Sequence, residues 1–156
     1  MALLFITCGV QGSGKTTLAK RLAGGHRAIR LTADEWLHDP YPDQSDDQLN
    51  ERRAAVEQLQ WGIAVEALKI GCNVVLDWGL WTREERDRYR REAQTLGVRM
   101  VLCVVDPPRE ELIRRLARRN TNMPTGAFHV TEDDLDKAMA FFERPTPEEL
   151  NLFDKI

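Results

Sequence analysis

"GVQGSGKTT", residues 9–17, stands between an apolar run at residues 4–8 and a stretch with helical periodicity, and its first eight letters fit the pattern GxxxxGK[ST]. A buried strand, a glycine-rich turn and a helix start give that pattern a physical meaning. Gly9, Gly12 and Gly14 permit unusual backbone angles and close approach, so successive amides can point at phosphate oxygens. The helix opening around Lys15 adds the partial positive charge of its amino terminus. Lys15 would then bridge the terminal phosphates of a nucleotide, and Thr16 would ligate magnesium. The expected nucleotide contacts are Gly9, Gln11, Gly12, Ser13, Gly14, Lys15, Thr16 and Thr17. The competing reading, a glycine-rich turn with a merely solvated lysine, does not account for the flanking strand and helix signals.

Working outward from the loop, strand and helix signals alternate. Leu4–Cys8 reads as a buried parallel strand, and the helix after the loop has Leu18 and Leu22 on one face with Gly24-Gly25 as its stop. "AIRLTAD" (28–34) reads as a second strand. From about Asp46 to Ile70, Leu49, Val56, Leu59, Ile63, Ala67 and Ile70 recur mostly three or four apart, which predicts one long helix or two in tandem. "NVVLDWG" (73–79) is the next strand, and "TREE" (82–85) is a capping box opening a charged helix that runs to about Leu96. "RMVLCVVD" (99–106) is a further strand, "PREELIRRLARRN" a helix, residues 121–129 a link, and Thr131 the cap of another helix before a proline-flanked tail. Strands separated by helices imply parallel pairing in a layered α/β domain.

The chain has 156 residues, 42% of them hydrophobic, enough for one sizeable core; a single domain over residues 1–156 is expected, with a small lid around 115–130. Lys and Arg number 22 against 25 Asp and Glu, a net charge of −3 that creates no global field for nucleic acid or anionic membrane. Cys8, Cys72 and Cys103 have neither metal-ligand spacing nor a disulfide framework and read as free thiols in a reducing compartment. The apolar start "MALLFITCG" reads as a strand rather than a signal peptide, and no apolar stretch approaches the roughly 20 residues that cross a bilayer. A cytoplasmic protein is expected.

A phosphoryl donor site needs a receiver, and where the receiver is a hydroxyl a carboxylate must stand near it as base. Asp34 and Asp77 each lie at or just beyond the carboxyl end of a predicted strand, where open α/β sheets hold their ligands. Asp77 suits a magnesium-side or substrate-side carboxylate and Asp34 the acceptor's base; the ordinary alternatives are a helix cap at Asp34 and a turn residue at Asp77. Of the five arginines between Arg109 and Arg119, Arg115 and Arg119 fall on one helical face beside the link, where they could neutralise charge on a transferring phosphoryl group. The alternative is a solvated basic face.

With these pieces in order, the sequence resembles the small P-loop kinases that include polynucleotide 5′-kinases, gluconate kinases, chloramphenicol phosphotransferases and zeta-toxin-like enzymes. It looks most like the stand-alone bacterial AAA domain proteins described as predicted kinases. The resemblance runs through "GVQGSGKTT", "LTADEW", "VVLDWGLWTREERDRYR", "RRLARRN" and "FERPTPEE". It implies an adenylate-kinase-like three-layer α/β/α fold with a mostly parallel sheet, ATP and Mg²⁺ as cofactors, Asp34 as general base, and Arg115 and Arg119 as lid arginines. Asp77 corresponds to the family's strand-end aspartate, although "DWGLW" replaces the usual "DxTN". The expected activity is transfer of the γ-phosphate of ATP to a small-molecule hydroxyl, the alternatives being a polynucleotide or tRNA-end kinase and a nucleotide-binding switch.

Polynucleotide kinases of this group often carry a basic residue soon after the base. Here Ala33–Asp47 holds six acidic residues and no Lys or Arg, which disfavours a nucleic-acid acceptor. The stretch suits a cationic acceptor, such as an aminoglycoside-like or amine-bearing compound, contacted by Asp34, Glu35 and Asp77. Trp36, Trp78 and Trp81 would be aromatic walls, unless the acids form a solvated loop and the tryptophans pack in the core.

Overall fold

The computed structural model describes residues 1–38, 46–122 and 129–156. β1 (Leu3–Cys8) is apolar almost throughout because both of its faces are covered. It pairs in parallel with β3 (Val74–Leu76), Leu4 beside Val74 and Ile6 beside Leu76. On its other side it pairs in parallel with β4 (Arg99–Val104), Leu3 beside Arg99 and Cys8 beside Val104. β2 (Ile29–Leu31) lies outside β3, so the sheet order is β2-β3-β1-β4 with all pairings parallel. The central position of β1 carries the glycine-rich turn to the middle of the sheet's carboxyl edge, between the ends of β3 and β4.

Helices cover both faces. α1 (Lys15–His26) packs Ala19, Leu22 and Ala23 against Phe5, Val75 and Val101. On the opposite face α3 (Asp46–Lys69) and α4 (Arg83–Thr95) bring Trp61, Ala64, Leu68, Tyr89 and Ala93 onto Leu4, Ile6, Val74, Leu76 and Met100. Tyr89 meets Trp61 at 5.0 Å and Trp78 at 5.3 Å, both edge-on, a geometry that adds to plain area burial. α5 (Arg109–Thr121) and α6 (Glu132–Phe141) extend this core with Leu112, Leu116, Leu135 and Ala138, α7 (Pro147–Leu150) buries Glu149, and α2 (Ala33–His38) follows β2. The result is the expected three-layer α/β/α arrangement with a parallel sheet. Among the described residues no helix is long and apolar enough to cross a membrane.

Three local expectations are corrected. Gly24-Gly25 does not stop α1; the helix runs to His26 and ends where Arg27 adopts a left-handed φ of 49° and Ala28 N donates to Ala23 O at 2.9 Å. The second strand is only Ile29–Leu31, because Ala33 already opens α2, so Asp34 sits in a helical first turn. α3 is one helix, yet Leu59, Ile63 and Ile70 of its expected apolar stripe face outward. Its core face is Gln60, Trp61, Ala64, Ala67 and Leu68, because the wide indole and small alanines fit against the sheet. The tail forms α7 and then returns to the sheet edge, where Asp154 N donates to Met100 O at 2.9 Å without adding a strand.

The capping boxes at Thr82–Glu85 and Thr131–Asp134 form as their letters require. Cys8, Cys72 and Cys103 are free thiols, and burial pushes Cys8 and Cys103 up to about 11, which keeps them protonated and unreactive.

Candidate active site

The glycine-rich turn is shaped by what crowds it. A Cβ at Gly9, φ 153°, would lie 2.3 Å from Val105 O, and one at Gly12, φ 74°, would lie 2.8 Å from a Leu116 methyl. Only glycine fits either place. α1 begins after Gly14 without a side-chain cap or an acidic residue in its first turn, whereas α4, α6 and α7 are capped by Thr82, Thr131 and Thr146. Its amino-terminal N–H groups are thus left to face an anion. Ser13 Oγ and Gln11 Oε1 are buried in the turn with no hydrogen-bond partner among the described residues. Ser13 therefore holds a hydroxyl donor that phosphate oxygens could satisfy.

Lys15 Nζ donates to Val10 O at 2.7 Å, curled over the turn. Burial pulls its pKa down to about 8 against the fields of Asp34 and Asp77, and Arg119 adds to the fall. From α5, Arg115 Nη1 donates to Ser13 O at 2.7 Å while its Nε is held by Glu111 at 2.6 Å. Arg119 is half-buried one turn further on; burial lowers its pKa and Asp34 opposes the shift. Both expected lid arginines thus stand over the turn, while residues 123–128 of the expected lid lie outside the described residues.

Asp77, at the end of β3, accepts the Thr16 hydroxyl and, on Oδ2, Arg30 Nη1 at 2.9 Å. Burial raises its pKa although both partners and Lys15 oppose this. A threonine hydroxyl and a carboxylate side by side are hard oxygen donors of the kind that hold magnesium together with phosphate oxygens. Among the described residues no cluster of three His, Cys, Asp or Glu side chains offers a complete protein metal cage. Arg30 Nη2 also donates to Glu35 Oε1 at 2.6 Å, so Glu35 is an ion-pair partner as well as a cleft residue.

Asp34, Asp77 and the phosphate turn line one cleft of about 1800 Å³. Asp34 is half-exposed, and Arg53 Nη1 stands 2.6 Å from its Oδ1 at an angle too oblique for a hydrogen bond. Arg53, Glu57 and Arg88 also line the cleft and were not anticipated from sequence. Burial pushes Glu57 up to about 7 against the pull of Arg53, and Glu85 and Asp34 add to the rise. The Asp34 side of the cleft is therefore mixed in charge: basic groups absent from residues 33–47 arrive from α3 and α4. Residues 39–45 of the acidic stretch lie outside the described residues.

The tryptophans separate. Trp36 is exposed and does not line the cleft. Trp78 is buried in the aromatic core, its indole N–H donating to Gln60 Oε1 at 2.9 Å, and contributes to the cleft floor only. Trp81 lines the cleft and donates its indole N–H to Gly9 O at 2.9 Å, so it braces the phosphate turn.

A family model described as "AAA domain" matches residues 4–145. The chain belongs to the AAA domain family. Among solved structures, a chain of the Pnkp1/Rnl/Hen1 RNA repair complex superposes on this AAA domain with a TM-score of 0.73 at 21% identity, covering 98% of this chain and 46% of that one. The chain thus spans less than half the length of that relative. Kti12 from Chaetomium thermophilum, solved with ADP-AlF3, superposes with a TM-score of 0.70 at 16% identity, covering 93% and 82%. A gluconokinase from Sinorhizobium meliloti superposes with a TM-score of 0.62 at 18% identity, covering 92% and 77%. No curated protein sequence matches. These likenesses show that the AAA domain shares the parallel α/β fold of these structures.

Proposed function

We propose that this AAA domain is a Mg²⁺-dependent kinase that transfers the γ-phosphate of ATP to a hydroxyl of a small molecule. The observation that carries the reading is the position of Asp34, which shares one cleft with the phosphate turn and feels the charges of both Lys15 and Arg119. A carboxylate there can accept the acceptor's proton as its oxygen meets the phosphorus. Lys15, Arg115 and Arg119 then stabilise the charge that develops on the phosphoryl oxygens. Thr16 and Asp77 would hold the magnesium, which supplies charge neutralisation across the phosphates. Arg53 restrains the Asp34 carboxylate from the acceptor side.

The acceptor half offers carboxylates (Asp34, Glu57, Glu85) and guanidiniums (Arg53, Arg88) in similar measure. That balance suits a polar, hydroxylated small molecule better than a polyanion or a simple cation. A nucleic-acid 5′-hydroxyl is the second reading, favoured by Arg53 and Arg88, which could contact an acceptor phosphate. Incubation with γ-labelled ATP and two acceptor sets, a pool of sugars and other polyols and a 5′-hydroxyl oligonucleotide, tests both. Label in the small-molecule pool is expected; label in the oligonucleotide alone would replace the first reading by the second.

Nucleotide binding should also report on Lys15. Phosphate favours its ammonium form, so the pKa rises from about 8 in the complex. Affinity is then complete below that pH and falls as pH rises through it, by up to about tenfold per unit. Calorimetry near pH 8 in buffers of different ionisation enthalpy should detect proton uptake on ATP binding, and its absence would contradict the assignment.

A further inference from the structure

The turn after β3 carries a set of contacts that the chemistry above does not use. Leu80 adopts a left-handed φ of 41°, which residues other than glycine rarely take. Three contacts tie this turn to the start of the phosphate loop: Gly9 N donates to Gly79 O at 3.0 Å, Trp81 Nε1 to Gly9 O at 2.9 Å, and Cys8 Sγ to Leu80 O at 3.4 Å. Gly9 is where the chain leaves β1, already confined by Val105 O. A displacement of residues 79–81 therefore moves both hydrogen-bond partners of the Gly9 backbone, the Gly79 carbonyl and the Trp81 indole.

Behind the turn lies Arg86 of α4, the largest fully buried side chain in the core. Its Nη1 donates to Leu80 O at 3.0 Å and to Trp81 O at 3.2 Å. Its Nε and Nη2 donate to the two carboxylate oxygens of Glu149 at 2.6 and 3.1 Å, a bidentate pair with both side chains sealed from solvent. Glu149 belongs to α7, where its amide is capped by Thr146 at 3.2 Å. One guanidinium thus joins the tail of the chain to the turn that supports the phosphate loop.

We propose that Arg86 and Glu149 are positioning residues: the buried pair sets the 79–81 turn and, through Gly79 and Trp81, the backbone of Gly9 and the entry to the phosphate loop. Glu149 fixes the fork of the guanidinium so that its remaining donors meet two carbonyls that face the protein interior. A purely structural pair would be replaceable by apolar side chains of similar volume, often without loss of stability. No apolar side chain can donate to the Leu80 and Trp81 carbonyls, and this separates the two roles. The structural effect needs only the contacts described; the kinetic effect rests on the kinase reading.

The test is the double variant Arg86→Met/Glu149→Leu, which removes both charges together, compared with wild type by melting temperature and amide hydrogen exchange. Positioning predicts exchange at residues 9–16 and 79–82 roughly tenfold faster at a nearly unchanged melting temperature. It also predicts an ATP KM raised roughly tenfold with a smaller change in kcat. Arg86→Lys keeps the charge against Glu149, but one ammonium cannot span the carboxylate and both carbonyls, so the same segments should exchange faster than in wild type. It decides the question if the double variant fails to fold. Wild-type exchange at residues 9–16 in a folded variant would overturn the proposal. A wild-type protein that binds no ATP would instead remove the kinase reading, and the exchange result would still decide this one.

Discussion

Replacing Asp34 by asparagine is expected to lower acceptor phosphorylation by about 10²- to 10⁴-fold, the range that a positioned general base contributes. ATP affinity should stay within about threefold, because the glycine-rich turn, Arg115, Arg119 and the Thr16–Asp77 pair are all built from other residues. The amide keeps the shape of the carboxylate but loses its basicity and its charge toward Arg53. Single-turnover transfer with saturating ATP gives the rate of the chemical step, and equilibrium titration gives the affinity. Equal transfer rates in wild type and variant would remove Asp34 as the base. A parallel loss of ATP affinity would place it on the donor side of the cleft.

Lys15→Ala should produce a different pattern. Lys15 is the cation that feels Asp34, Asp77 and Arg119 together, and its ammonium lies on the turn against Val10 O. Removing it takes away charge that stabilises the transferring phosphoryl group, with an expected fall of about 10²- to 10³-fold in kcat. ATP should also bind more weakly, because part of the lysine's attraction is already present in the ground state. Protein stability should change little or rise, since burial disfavours the ammonium and alanine is well tolerated in a helix. Steady-state kinetics beside thermal melting checks both halves of this expectation. Unchanged turnover in a folded variant would contradict the role.

How much of this was legible in the sequence depended on the range of the interaction involved. The phosphate turn was legible because its determinants are local: an apolar strand, glycines where a Cβ would strike Val105 or Leu116, and a helix start. The capping box at Thr82 and the cap at Thr131 were legible for the same reason. Asp77 and Asp34 could be placed at strand ends, but their partners could not. Arg30 reaches Asp77 across 47 residues because β2 pairs with β3, and no pattern within either segment announces that pairing. Arg53 and Glu57 were hidden inside a helix whose expected apolar stripe turned Leu59, Ile63 and Ile70 outward while Ala67 stayed in the core. With that stripe split between core and surface, the cleft side of α3 could not be assigned. Asp34 and Glu35, read as part of an acidic stretch, thus became one side of a mixed site. Trp78 and Trp81 looked equivalent by letter, yet one is held by Gln60 in the core and the other by Gly9 at the cleft, a difference set wholly by tertiary contacts.

The proposed kinase site joins a donor half at the phosphate turn to an acceptor half at Asp34. Phosphorus NMR of ATP with the wild-type protein, magnesium and a pool of hydroxylated metabolites follows the γ-phosphate directly. A new phosphomonoester resonance is expected to grow in step with ADP and to be absent with Asp34→Asn. ADP formed with inorganic phosphate alone, at the same rate in both proteins, would contradict it.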